Sequence, residues 1–142
     1  MKTKLEPGIP VDFTYPVSPA HTVPHLLPDS PEFRGMPEVL ATGYMVALFE
    51  RACIAALTPF LTRPGEQTVG THVNLSHVAA TPPGLTLHIR GTLVRVRGRR
   101  LVFELEADDG VDVISKGTHE RFIIDRPRFD IKMAEKRKSV KI

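Results

Sequence analysis

The sequence predicts an α+β fold in which a curved antiparallel sheet wraps round one central helix. Three observations predict it. The stretch Thr42–Leu57, TGYMVALFERACIAAL, is apolar on nearly every side, whereas a helix laid on a surface keeps a polar face for water. One strand pattern precedes it and four follow, and the four are joined by short turns, which make antiparallel neighbours. A single enclosed helix also needs a sheet curved enough to enclose it.

Taken in order, Val11, Phe13, Tyr15 and Val17 alternate with Asp12, Thr14 and Pro16, the period of a half-buried strand. Pro16 removes a donor, so this strand ends there or lies at an edge. Residues 18–37 are rich in proline and have no clean period. A segment of that length in a compact domain reads as a lid or binding loop. The helix follows, then turn material from Thr62 to Gln67. Val69, Thr71, Val73, Leu75 and His77 share one face of the next strand, with Gly70, His72, Asn74 and Ser76 on the other. Thr81–Gly84 turns into a strand marked by Leu85, Leu87, Ile89 and Leu93, where a slip of apolar parity to Val94 and Val96 predicts a bulge. Arg97–Arg100 reads as a hairpin turn, Leu101–Asp108 as an amphipathic strand, Asp109-Gly110 as a turn, and about Val111–Ile124 as the last strand. Gly91 inside its strand predicts close approach, and Gly117 a bend or a backbone approached by ligand.

The 142 residues make one domain, expected over residues 1–130, with residues 131–142 as a solvated, mobile basic tail. Net charge is +3, but the last twelve positions hold five of the basic residues against Glu135 alone, so the excess belongs to that tail. Only nine aromatics are spread through the chain, which argues against a nucleic-acid surface. No apolar run approaches the ~20 residues of a membrane span, and MKTKLEPGIP carries no hydrophobic signal segment. A cytoplasmic protein is expected. The single cysteine, Cys53, reads as a small buried hydrophobe, and the six histidines lack ligand spacing, so no metal is implied.

Two polar groups stand out against the apolar interior. Glu50 has Val46, Ala47, Cys53 and Ile54 three and four positions away on the helix. A carboxylate there needs a specific partner. It is either an ion pair with an arginine from elsewhere or a catalytic group. His77 points the same way as the apolar residues of its strand, so it is either a hydrogen-bonded core histidine or a functional one, within reach of Glu50 if that face packs on the helix. Thr42, where the helix begins, suits an N-cap. Arg90, Arg95, Arg97, Arg99 and Arg100 read first as a solvated hairpin.

Several long blocks, in one order, then carry a resemblance. They are PxxTVxHLxPxSPEF (Pro19–Phe33), PEVxATGYM running into LFExAC (Pro37–Cys53), GTHVNLSHVAATPPGLT (Gly70–Thr86), GRRL (Gly98–Leu101) and DGVDxIxxGTHER (Asp109–Arg121). Over roughly Val11–Phe129 the chain resembles the fluoroacetyl-CoA thioesterase family of hotdog-fold proteins. The resemblance implies hydrolysis of short-chain acyl-CoA thioesters, homodimers with active sites at the subunit interface, and no cofactor beyond the coenzyme A of the substrate. It also implies a catalytic Thr42, Glu50 and His77, with Gly70 and Arg121 holding the acyl group. Phe33 is kept in the lid, while Met36 stands where the fluoroacetyl-specific member carries an aromatic gate. Methionine is more adaptable than a ring, so short acyl-CoA thioesters in general are expected ahead of a strict preference for the fluorinated one. The rival readings are a non-catalytic acyl-CoA-binding or regulatory protein and a hotdog hydratase or dehydratase.

Overall fold

The computed structural model describes residues 4–62 and 65–140. Arg63 and Pro64, within the turn expected from Thr62 to Gln67, lie outside the described residues. The chain runs β1 (Pro10–Pro16), α1 (Val23–Leu26), α2 (Pro31–Arg34), α3 (Thr42–Leu57), β2 (Glu66–Leu75), β3 (Thr86–Arg97), β4 (Arg100–Asp108), β5 (Val113–Asp125) and α4 (Arg126–Lys138). The five strands form one antiparallel sheet in the order β1-β3-β4-β5-β2, curled round α3. β1 is an edge strand, as Pro16 requires, and β2 is the other edge.

The core lies between the concave face of the sheet and α3. Met45, Leu48, Phe49, Ala52, Cys53 and Leu57 of the helix are buried against Leu87, Ile89, Leu93, Leu101 and Phe103 of the sheet. Each such large side chain contributes about 1.5–3 kcal/mol by leaving water. The expected enclosure on every side is only partly realised. Ala47, Arg51, Ile54 and Ala55 remain exposed, because a single curled sheet covers one side of a helix. Cys53 is fully buried, and burial pushes its thiol up to about 12.

The predicted irregularities lie where backbones crowd. The register slips between Leu93 and Arg95. A Cβ on Gly91 would sit 2.1 Å from the Glu104 carbonyl oxygen, and one on Gly117 would sit 1.9 Å from that of Asn74. Gly117 thus admits a neighbouring strand, and its φ of 155° lies where side chains are strained. The segment 18–37 is not an open loop but a chain of short turns, including a 3-10 turn at Pro19–His21 besides α1 and α2. The expected tail is helical as far as Lys138, with no buried residue.

The loop after β4 is held by Asp109, only 3% exposed, which accepts hydrogen bonds from the Thr81 hydroxyl (2.8 Å) and the Val111 and Asp112 amides (3.0 and 2.8 Å). Burial alone pushes the Asp109 carboxyl up, but the bonds from Asp112, Thr81 and Val111 outweigh it and hold the group below its ordinary value. Thr81 in turn accepts the Leu40 amide at its carbonyl, which ties this loop to the approach to α3. Asp109→Ala is expected to cost about 1.5–3 kcal/mol in urea unfolding at neutral pH, the range for hydrogen bonds to a charged group. Because the folded value is depressed, this stability is present above the ordinary carboxylate range and is lost as pH falls through the folded pKa. The gap between wild type and variant should therefore shrink in acid.

Candidate active site

Two polar clusters flank α3. The first is at its N-terminus, where Thr42 Oγ1 lies 2.7 Å from His77 Nδ1. Ala41, not Thr42, is the N-cap, and no side chain caps the helix. The Thr42 hydroxyl serves the imidazole, so the expected capping role is not realised. His77 Nε2 is buried and has no hydrogen-bond partner among the described residues. Burial lowers the pKa of the ring, which favours the neutral form. Val23, Val39, Leu40 and Ala79 line a cavity of about 270 Å³ with these two residues.

The second cluster surrounds Glu50, about 12 Å further along the axis, eight residues at 1.5 Å each. Arg121, from β5 and 2% exposed, donates from Nη1 to Glu50 Oε2 at 3.0 Å. It also donates from Nε to Thr68 Oγ1 at 2.8 Å and from Nη2 to the Thr68 carbonyl at 2.9 Å. The Glu50 side chain is 38% exposed, so the carboxylate is an ion-pair partner that still meets solvent. A Cβ on Gly70 would lie 2.5 Å from Glu50 Oε2, and glycine there makes the room the carboxylate occupies.

His77 and Glu50, expected within reach of one another, are not brought together within one chain. The reason is distance: Gly70, beside Glu50, and His77 are seven residues apart, about 23 Å of extended chain. The register of β2 slips between Gly70 and His72, so Thr71 is unpaired and the side-chain parity changes. Before the bulge the even positions Thr68 and Gly70 face Arg121 and Glu50, while after it the odd positions lead to Leu75, packed on the core, and His77. The single alternating face read from the sequence is therefore two half-faces. Phe33 belongs to α2 and Met36 follows it, 51% exposed, and neither lines the Thr42–His77 cavity.

Sequence reasoning missed Thr68 and His119. His119 is 1% exposed, and its ring lies beside Arg121. The available signal was position, since residues 117, 119 and 121 share one face of β5.

The sequence profile of the fluoroacetyl-CoA-specific thioesterases matches residues 17–127. The chain belongs to that family. A fluoroacetyl-CoA thioesterase from Streptantibioticus cattleyicolor is 47% identical over 136 residues, 96% of this chain and 97% of the relative. Among solved structures, a variant of the fluoroacetyl-CoA enzyme in complex with acetyl-CoA superposes with a TM-score of 0.89 at 46% identity, covering 93% of this chain and 98% of that one. A hot-dog-like protein from Thermanaerovibrio acidaminovorans shares the fold, with a TM-score of 0.78 at 21% identity over 94% of this chain and 93% of that one. The α+β architecture read from the sequence is thus the hotdog fold.

Proposed function

We propose that this thioesterase hydrolyses short-chain acyl-CoA thioesters, fluoroacetyl-CoA among the candidates, to the free acid and coenzyme A. The observation that carries the reading is His77, whose Nδ1 is taken by Thr42 while Nε2 is buried with no partner among the described residues. An orphaned buried nitrogen on a ring held neutral by burial is suited to passing a proton, and a non-catalytic binder has no use for it. Glu50 supplies the carboxylate, attacking the thioester carbonyl itself or activating a water. His77 passes the proton, and Thr42 orients the ring. Gly70 and Arg121 set the place of the carboxylate and border the acyl group, with Phe33 and Met36 in the lid above. No cofactor is used, since coenzyme A arrives as part of the substrate and leaves as the free thiol.

The working site in this reading spans two copies of the chain. Groups gripping one carbonyl stand about 3–3.5 Å from it, yet Glu50 and Thr42 of one helix are about 12 Å apart along its axis. The edge strand β2 and the exposed Ala47 and Ile54 of α3 supply pairing and apolar surface for a homodimer. A cytoplasmic location belongs to the same reading.

The test is thiol release from acetyl-CoA and fluoroacetyl-CoA side by side. Turnover of either supports the reading, and a strong fluorinated preference would show that Met36 does not remove selectivity. No release from either by folded protein that still binds CoA esters would put a binding protein in its place. The two-copy site is tested by mixing Glu50→Gln with His77→Ala after unfolding and refolding together. A site built across copies regains about a quarter of wild-type activity in a statistical mixture, half the dimers being mixed with one intact site of two. A site within one chain regains none.

A further inference from the structure

We infer that His119 is the positioning residue that locks Arg121 onto the Glu50 carboxylate, through a neutral ring carrying its hydrogen on Nδ1. This deepens the proposed reaction and rests on it for its catalytic consequence. The geometry fixes the tautomer. His119 Nδ1 lies 2.8 Å from the His72 carbonyl oxygen, which can only accept, so Nδ1 carries the hydrogen. His119 Nε2 lies 3.2 Å from Arg121 Nη1, which can only donate, so Nε2 offers its lone pair. A doubly protonated ring would set donor against donor and place a second positive charge beside the buried guanidinium.

The groups around the ring agree. Glu50 faces it from α3, Arg121 and Glu120 are its charged neighbours on β5, β2 contributes the His72 carbonyl and the bare Gly70, and Phe103 is its register partner on β4. Burial, the largest influence, lowers the pKa of the ring, and Arg121 adds to the lowering, against the opposing effects of the His72 carbonyl, Glu50 and Glu120. The consequence is geometric. Arg121 Nη1 is shared between Glu50 Oε2 and His119 Nε2, while Nε and Nη2 are held by Thr68. With the guanidinium plane fixed, Glu50 Oε2 is pinned, and Oε1 accepts no hydrogen bond among the described residues. One carboxylate oxygen is held and the other is available for reaction.

The experiment compares His119→Leu with His119→Gln, whose amide oxygen can still accept from Arg121. The readouts are kinetics on acetyl-CoA and ¹⁵N NMR of the histidine rings and the Arg121 guanidinium. His119→Leu should lower kcat about tenfold or more with KM within about twofold, because a misplaced catalytic group acts on the transition state more than on binding. His119→Gln should restore kcat to within about threefold. In the wild type the His119 signals should report a neutral ring protonated on Nδ1 at pH 7. The Arg121 Nη protons should exchange slowly in wild type and His119→Gln and rapidly in His119→Leu. A ring protonated on Nε2, equal losses in the two variants, or unchanged kcat in His119→Leu overturns the inference. If the wild type releases no thiol, the thioesterase reading fails, and the NMR comparison alone decides whether His119 holds Arg121.

Discussion

Glu50→Gln is expected to lower thiol release from acetyl-CoA by about a hundredfold or more, about 2.7 kcal/mol of transition-state stabilisation. The substitution keeps the shape of the side chain and an amide oxygen that can accept from Arg121. What it removes is the ability to attack a carbonyl or take a proton from water. A second consequence follows from burial. Arg121 loses its counter-charge while 2% exposed, so the variant should also unfold at lower denaturant. That cost should fall short of the ~3–5 kcal/mol of breaking a fully buried pair, because Glu50 is 38% exposed and Arg121 keeps Thr68 and His119. Folded Glu50→Gln protein with near-normal turnover would remove Glu50 from the chemistry.

His77→Ala should match that loss, about a hundredfold or more in kcat. Its signature lies in the pH profile. Burial lowers the pKa of His77, so the neutral ring persists below the ordinary histidine value of 6.5. Activity that depends on it should hold through that pH and decline only as pH falls through the lowered value. The same sign governs stability. The contribution is present above the unfolded pKa and fades as acid charges the buried ring. The residual activity of His77→Ala should lack this acid limb, and an identical limb in both proteins would assign it to another group.

Much of this arrangement was legible in the residues. Glu50 and His77 stood out because a polar group among apolar neighbours requires a reason, and both have specific partners. The Leu93 bulge was legible as a break in apolar parity and the close approach at Gly91 as a missing side chain, whereas at Gly117 the glycine was legible but the neighbouring strand it admits was not. The β2 bulge was not, because Val69, Thr71, Val73 and Leu75 alternate so regularly that nothing marks Thr71 as the unpaired residue. Reading straight through it turned Gly70 away from the helix and hid Thr68. His119 was missed for a different reason. A histidine beside an arginine on one strand face carries no pattern until the carbonyl of another strand is placed opposite it. The helical form of residues 131–138 was obscured by their charge, which reads as a solvated end whether or not the backbone is coiled.

The burial of Cys53 has a consequence at the bench. A thiol held up to about 12 behind the sheet is almost wholly protonated near neutral pH and is out of reach of an aromatic disulfide reagent. While the protein is folded, every equivalent of colour that such a reagent develops comes from coenzyme A, so the enzyme can be assayed continuously at high concentration without a protein blank. Colour in the absence of substrate then has its own meaning: it counts molecules that have unfolded.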